Sequence, residues 1–351
     1  MRESLIKSTF RSCLVALGGV FGVGLALFLI ALLFSTLSQE NKTKLKIDTD
    51  FKQIIAPNAK GVRQEMSKSD PVILQLNIQG VIGTDKLNAN RIEELLVESR
   101  EGDLQNDRVK AILLNINSPG GSATDSDAIY NAIMQYKKTY QVPVYAYIDG
   151  ICASGGYYIA CAADKIYSRD TAIVGSIGVL FSSPFFNVTQ VMEKIGVSAA
   201  TISAGKDKDM LNPFRPWKED EKTNLQSIAD GLYYDFVSIV SANRPKVDRE
   251  KLVSEYGANV YLARNALEYG LIDEANASRN TVLQALIKEL NIFDDDYQVV
   301  YLEKKNWLVE FLTEQHASTP LSNHIYHHLD LGNGVPSELY GKPLYLYRPE
   351  Y

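Results

Sequence analysis

The apolar run Val142 to Ile148 leads, one residue later, into Gly150-Ile151-Cys152-Ala153-Ser154-Gly155-Gly156-Tyr157-Tyr158-Ile159-Ala160. A run of that length and composition predicts a buried strand. The small residues after it predict a helix running to about Ala163. From Pro71 onward strand-like and helix-like stretches alternate, which argues for α/β with a buried, largely parallel sheet. The helix start presents free N–H groups and the positive end of the helix dipole, which favour developing negative charge. A nucleophilic serine needs that environment. A serine capping the helix would give the same sequence pattern.

The histidines limit what could activate Ser154. There are four, His316, His324, His327 and His328, all in the last tenth of the chain. A Ser-His-Asp triad would need that tail to fold back onto Ser154, because triads are defined by geometry. The G-x-S-x-G elbow is absent, since Cys152 stands two before the serine. A lysine with a lowered pKa is the remaining common base. Val197 to Ile202 reads as a further short strand, and Ser203-Ala204-Gly205-Lys206-Asp207-Lys208-Asp209-Met210 follows it. A lysine just past a strand end, once buried, would be held neutral and could act as general base. Composition does not choose between Lys206 and Lys208.

Four segments stand in order: Asn117-Ser118-Pro119-Gly120-Gly121, Ala153-Ser154-Gly155-Gly156-Tyr157-Tyr158, Val174-Gly175-Ser176-Ile177-Gly178-Val179, and Gly205-Lys206-Asp207-Lys208-Asp209 with Pro213-Phe214-Arg215-Pro216. Together they resemble the signal peptide peptidase A family, peptidase family S49. Val174 stands where the family usually has threonine. The resemblance implies a ClpP/crotonase-like α/β core of stacked ββα-type units with flanking helices. It implies Ser154 as nucleophile and Lys208, directly before Asp209, as base in a Ser/Lys dyad. Ser176 would orient the lysine. Gly120 and Gly121, with the N–H of Ser154 or Gly155, would bind the oxyanion. Asp207 and Asp209 would raise the lysine pKa if they pointed at it, so this chemistry requires them to face elsewhere. The short, single-copy form implies a homo-oligomeric ring with the site shared between protomers. Expected substrates are remnant signal peptides and other hydrophobic peptides.

The N-terminus sets the compartment. Cys13 to Phe34 is 22 residues without a charge, and about 20 span a bilayer core. Arg2, Lys7 and Arg11 precede it, which puts residues 1–12 in the cytoplasm. The expectation is a single-pass anchor in the bacterial inner membrane, with the catalytic domain on the extracytoplasmic side. Residues 35–70 read as a polar juxtamembrane linker with little regular structure, 71–293 as the peptidase domain and 294–351 as a C-terminal extension. Within the domain, strands are expected at Val72–Ile78, Lys110–Ile116, Val142–Ile148, Lys165–Tyr167 and Ile173–Leu180. Ile129, Ala132, Ile133 and Tyr136 mark an amphipathic helix. A long helix is expected from Pro216, with Leu225, Ile228, Leu232, Phe236 and Ile239 as its apolar stripe, and another from Leu262 to Tyr269 ending at Gly270. The Gly341-Lys342-Pro343-Leu344-Tyr345-Leu346-Tyr347 segment reads as an edge strand at the mouth of the site.

A net charge of −6 without a basic stripe disfavours nucleic acid. No phosphate or dinucleotide fingerprint is present. No cofactor is expected, and the tail histidines lack partners that would complete a metal site. Cys152 and Cys161 lie about 13 Å apart along a helix, too far for a disulfide. Two other classes share the fold: a membrane scaffold without turnover, and a crotonase-like acyl-CoA enzyme, against which the anchor and the ordered serine and lysine motifs argue.

Overall fold

The computed structural model describes residues 51–181, 185–293, 296–305 and 343–347. The expected membrane span, Cys13 to Phe34, and all four histidines lie outside these residues. Among the described residues no helix is long and apolar enough to cross a membrane.

Strict alternation along three neighbouring strands builds the core. In β2 (Val72–Gln79), β3 (Val109–Ser118) and β5 (Val144–Ala153), one set of side chains lines the larger apolar cluster: Val72, Leu74, Leu76 and Ile78; Ile112, Leu114 and Ile116; Val144, Ala146 and Ile148. The intervening Ile73, Ala111, Leu113, Tyr145 and Tyr147 face a second cluster on the other side of the sheet. Both faces are therefore buried, as expected of parallel strands covered by helices. The pairs β2–β3 and β3–β5 are parallel. β6 (Lys165–Ser168) and β7 (Ile173–Gly175) each pair in parallel with a different part of β5. The molecule is mixed α/β.

Helices α1 (Ala89–Glu98), α2 (Ala123–Tyr140) and α3 (Gly155–Ala160) follow strands in the expected alternation. Asn88 Oδ1 caps α1 through Arg91 N at 3.0 Å, and Ser122 caps α2 through Asp125 N. The amphipathic stripe buries Ile129, Ile133 and Tyr136 as the sequence predicts.

Five expectations are corrected. Residues 35–70 include β1 (Phe51–Ala56), which pairs antiparallel with β10 (Gln298–Lys304); β10 in turn lies parallel to β2. The sheet thus takes in residues beyond 293, so a boundary there cuts through it. Val197–Ile202 forms no strand, and Ile202 is fully exposed. The long helix, α5 (Thr223–Asn243), begins seven residues after Pro216 and buries Phe236, Val237 and Val240. Between β8 (Leu180–Phe181) and α5 lies α4 (Thr189–Ile195), followed by irregular turns. Finally, β11 (Pro343–Leu346) is no edge strand: it lies between β4 (Gly120–Ser122) and β8, antiparallel to both. A short strand, β9 (Val260–Leu262), pairs antiparallel with β7, and two further helices are α6 (Ala263–Glu268) and α7 (Arg279–Glu289), the latter packed on the second face of the sheet.

Candidate active site

Ser154 sits at the single residue between β5 and α3 with φ 55° and ψ −120°. A non-glycine residue there is strained by about 1–3 kcal/mol, so its surroundings must impose the conformation. They do so from both sides. Ser154 N donates to Gly175 O at 2.8 Å, continuing the pairing of Ala153 with Gly175. Tyr158 N donates to Ser154 O at 2.9 Å and starts the helix. The Ser154 side chain caps no helix amide. A capping serine would accept from the second or third helical N–H, so the capping explanation fails here. The residue is 1% exposed.

The glycines bring three segments together around it. A Cβ on Gly155 would lie 2.3 Å from Ser126 Oγ, and one on Gly156 would lie 2.9 Å from Ser118 O. A Cβ on Gly120, at φ 97°, would lie 1.9 Å from the Tyr345 carbonyl oxygen and 2.7 Å from Gly155 N. Gly120 therefore stands directly beside the first amide of α3. Its turn is held by Ser118: the hydroxyl donates to Gly80 O at 2.7 Å and accepts from Gly120 N at 3.1 Å. Asn117 Oδ1 accepts from Ile151 N at 3.0 Å and ties the same turn to β5.

These bonds sort the expected oxyanion donors. Ser154 N–H is committed to Gly175, and Gly120 N–H to Ser118. Gly121 lies in β4 opposite Tyr345. Gly155 N–H, at the start of α3, has no backbone acceptor among the described residues. Helix starts leave such amides free. Of the two amides expected at the serine, Gly155 is the free one. With β11 in place, the edge of β4 is filled by Tyr345 and its neighbours.

Ser176 directly follows Gly175, the residue that accepts the Ser154 amide bond. It is buried, at φ 55°, with its N–H donating to Asn259 O at 2.7 Å. Gly120 thus stands beside Gly155, next to Ser154, and Ser176 follows in sequence the residue that pairs with Ser154.

Lys208 and Lys206 make no hydrogen bond to these residues among the described residues. Both are exposed, in the turns between Gly205 and Asn212, and neither makes an ion pair or hydrogen bond to Ser154 among the described residues. The flanking acids behave as the chemistry requires in one case. Asp209 Oδ2 accepts from Arg215 Nε at 2.7 Å, and its Oδ1 from Asn212 Nδ2 at 2.7 Å. Those two bonds hold its carboxyl below the usual carboxylate range. Asp207 Oδ1 lies 4.0 Å from Lys218 Nζ. Arg215 also binds Glu221 through both terminal nitrogens. In the sequence Arg215 stands out only as part of Pro213-Phe214-Arg215-Pro216. The signal for its role was the alternation of acids and bases from Lys206 to Glu221.

Cys152 and Cys161 are free, buried thiols. Burial pushes Cys152 well up and Cys161 up to about 12, so both are packing groups and not nucleophiles. No group of metal-ligating side chains occurs among the described residues.

The family model for peptidase family S49 matches residues 136–292, which include Ser154, Ser176 and Lys208. A protein of Enterococcus faecium named as a signal peptide peptidase SppA is 32% identical over 237 residues, 66% of this chain and 67% of that protein. The chain belongs to peptidase family S49. As a member it is a serine peptidase. It is also 34% identical over 184 residues to the chloroplastic serine protease SPPA of Arabidopsis thaliana. That alignment covers 52% of this chain and 26% of the plant protein. The chain thus spans two thirds of the first relative and about a quarter of the second. Among solved structures, a ClpP1 variant of Listeria monocytogenes superposes with a TM-score of 0.39 at 17% identity, covering 59% of this chain and 94% of that one.

Proposed function

We propose that this S49 member is a membrane-anchored endopeptidase with a ClpP/crotonase-like core, in which Ser154 is the nucleophile and Lys208 the general base. The observation that carries the reading is Ser154 itself. It is held in a strained backbone, caps nothing, and adjoins the free Gly155 amide and Ser176. Strain of this kind gathers at reactive residues, because packing alone gives no reason to keep it.

The chemistry is acyl transfer. The neutral Lys208 amine takes the Ser154 Oγ proton as Oγ bonds to the peptide carbonyl carbon. The oxygen gains negative charge opposite Gly155 N–H, with the Gly120–Gly121 turn alongside. The C–N bond then breaks as the lysine passes its proton to the leaving amine. Water, deprotonated by the same lysine, hydrolyses the ester and frees Ser154. Ser176 donates to the lysine nitrogen and holds it in line. Because Lys208 lies on an exposed loop, its partner serine belongs to a neighbouring protomer of a ring. Phe185, Phe186, Val191, Ile195, Val197, Ile202 and Phe214 are exposed in the single chain and support such an assembly. The residue 13–34 segment anchors the protein in the bacterial inner membrane with the site on the extracytoplasmic side. Its substrates are remnant signal peptides and other apolar peptides.

The test is fluorophosphonate labelling of the full chain and of Ser154→Ala, Lys208→Ala and Lys206→Ala. Labelling is expected to vanish in the first two and persist in the third. Loss with Lys206→Ala alone would move the base two residues upstream. An assembled but unlabelled wild type would favour the scaffold without turnover.

A further inference from the structure

Lys208 is flanked on both sides by aspartates, and a carboxylate that pairs with a lysine favours its charged form and so opposes the neutral amine. The structure handles Asp209 with an arginine six residues on. Arg215 Nε donates to Asp209 Oδ2 at 2.7 Å, and its Nη2 donates to the Asp209 carbonyl. The same guanidinium donates from Nη1 to Glu221 Oε2 at 3.0 Å and from Nη2 to Glu221 Oε1. Glu221 is nearly fully buried and serves as the far anchor. Its Oε1 accepts from Leu211 N at 2.6 Å and its Oε2 from Lys218 N at 2.9 Å. Asn212 Nδ2 takes the remaining Asp209 oxygen at 2.7 Å and also reaches Thr201 Oγ1 at 2.8 Å. Trp217 Nε1 closes the turn on Asn212 O at 2.8 Å. Both Asp209 oxygens are thereby engaged, one by Arg215 and one by Asn212. Lys208 makes no ion pair among the described residues.

We propose that Arg215 is a positioning residue for the general base: by holding the Asp209 carboxylate between itself and Asn212, with Glu221 as anchor, it keeps Asp209 from pairing with Lys208 and so lets Lys208 act as a neutral amine. The inference rests on Lys208 being the base, as proposed above. The other charges around the loop are Lys206, Asp207 and Lys218, with Asp207 nearest Lys218. A fork is needed here because one group must span two carboxylates and a carbonyl, which a single ammonium does less well.

The experiment is the pH dependence of the rate at which a fluorophosphonate labels Ser154 in the full-length oligomer. The acid limb of that profile reports loss of the neutral base. Arg215→Gln frees Asp209 and is expected to move the limb upward by about one pH unit, the attraction of unit charges ~6 Å apart at an effective dielectric of roughly 40. Adding Asp209→Asn to Arg215→Gln is expected to return the limb to its wild-type position, even if the maximal rate stays low. Arg215→Lys is expected to give a smaller shift in the same direction, and it decides the matter if Arg215→Gln fails to assemble. An unmoved limb with a uniformly lower rate would overturn the proposal and leave Arg215 a structural residue. A shift that Asp209→Asn does not reverse would overturn it as well, because another group would then be responsible. Lys208→Ala separates the two readings. If that variant labels at the wild-type rate, the dyad assignment fails; if it does not label and the Arg215→Gln limb stays in place, only the role of Arg215 fails.

Discussion

At the scale of single residues, Ser154 pays a conformational cost that only its hydroxyl justifies. Its φ of 55° is one that glycine adopts freely. Ser154→Gly is therefore expected to raise stability by about 1 kcal/mol while abolishing labelling. Ser154→Ala, which keeps a Cβ, is expected to abolish labelling without that gain. Thermal denaturation of the two variants side by side checks this, and equal melting temperatures would show that the backbone carries no strain. The location of this residue was legible in sequence because strand, turn and helix are contiguous from Val144 to Ala160. Which amide stays free beside it was not. That depends on Ser154 N reaching Gly175 O across the sheet and on Gly120 N turning to Ser118 Oγ. No spacing rule encodes either bond.

At the scale of elements, the end of α5 is docked by a buried charge pair. Arg244, the residue after the helix, places Nη1 2.8 Å from Asp273 Oδ2, with its side chain only 4% exposed. The other end of the link is β6, where Ile166 N donates to Asp273 Oδ2 at 2.8 Å. Burial pushes the Asp273 carboxyl up, but the Arg244 hydrogen bond and the Ile166 N–H outweigh it, so the net direction is below the ordinary aspartate value. A carboxyl whose folded pKa is lowered adds stability at pH values above its unfolded pKa of about 3.9 and loses it as the pH falls toward the folded value. Asp273→Asn is expected to cost about 3 kcal/mol at neutral pH, because it strands a buried guanidinium. The deficit should shrink as the pH drops below about 4. Urea titrations at pH 7 and pH 3.5 measure it, and an equal deficit at both would assign the loss to packing. Elements built from local periodicity were readable: β2, β3 and α2 follow their patterns closely, whereas β5 runs on past Ile148 to Ala153 and the helix after it spans only Gly155–Ala160. Elements placed by distant partners were not. β10 enters the sheet between β1 and β2, and β11 enters between β4 and β8, each by pairings far apart in sequence. The start of α5 was misread for a related reason. Glu221 looks like a first-turn helix acid, but its carboxylate is taken by Arg215 and by the amides of Leu211 and Lys218.

At the scale of the whole molecule, one chain assembles the serine, the glycine turn and Ser176, yet leaves Lys208 on an exposed loop among apolar side chains that face solvent. Ile195, Val197 and Ile202 are each more than half exposed, and burying them against a neighbouring chain would be favourable. If the dyad forms between protomers, two inactive chains can repair each other. Ser154→Ala supplies an intact Lys208, and Lys208→Ala supplies an intact Ser154. In a ring assembled at random from equal amounts, about a quarter of the junctions pair the intact serine with the intact lysine, since each junction draws its two chains independently. Mixing the variants under conditions that exchange protomers should therefore restore roughly a quarter of wild-type labelling, all of it on the Lys208→Ala chain. Two chains of different mass let a gel show which one carries the label. Ile202→Asp placed in both variants should prevent the recovery by placing a charge in the contact. Mixed oligomers that form and still fail to label would put both members of the dyad in one chain, and the exposed loop would then have to close onto Ser154 of its own protomer.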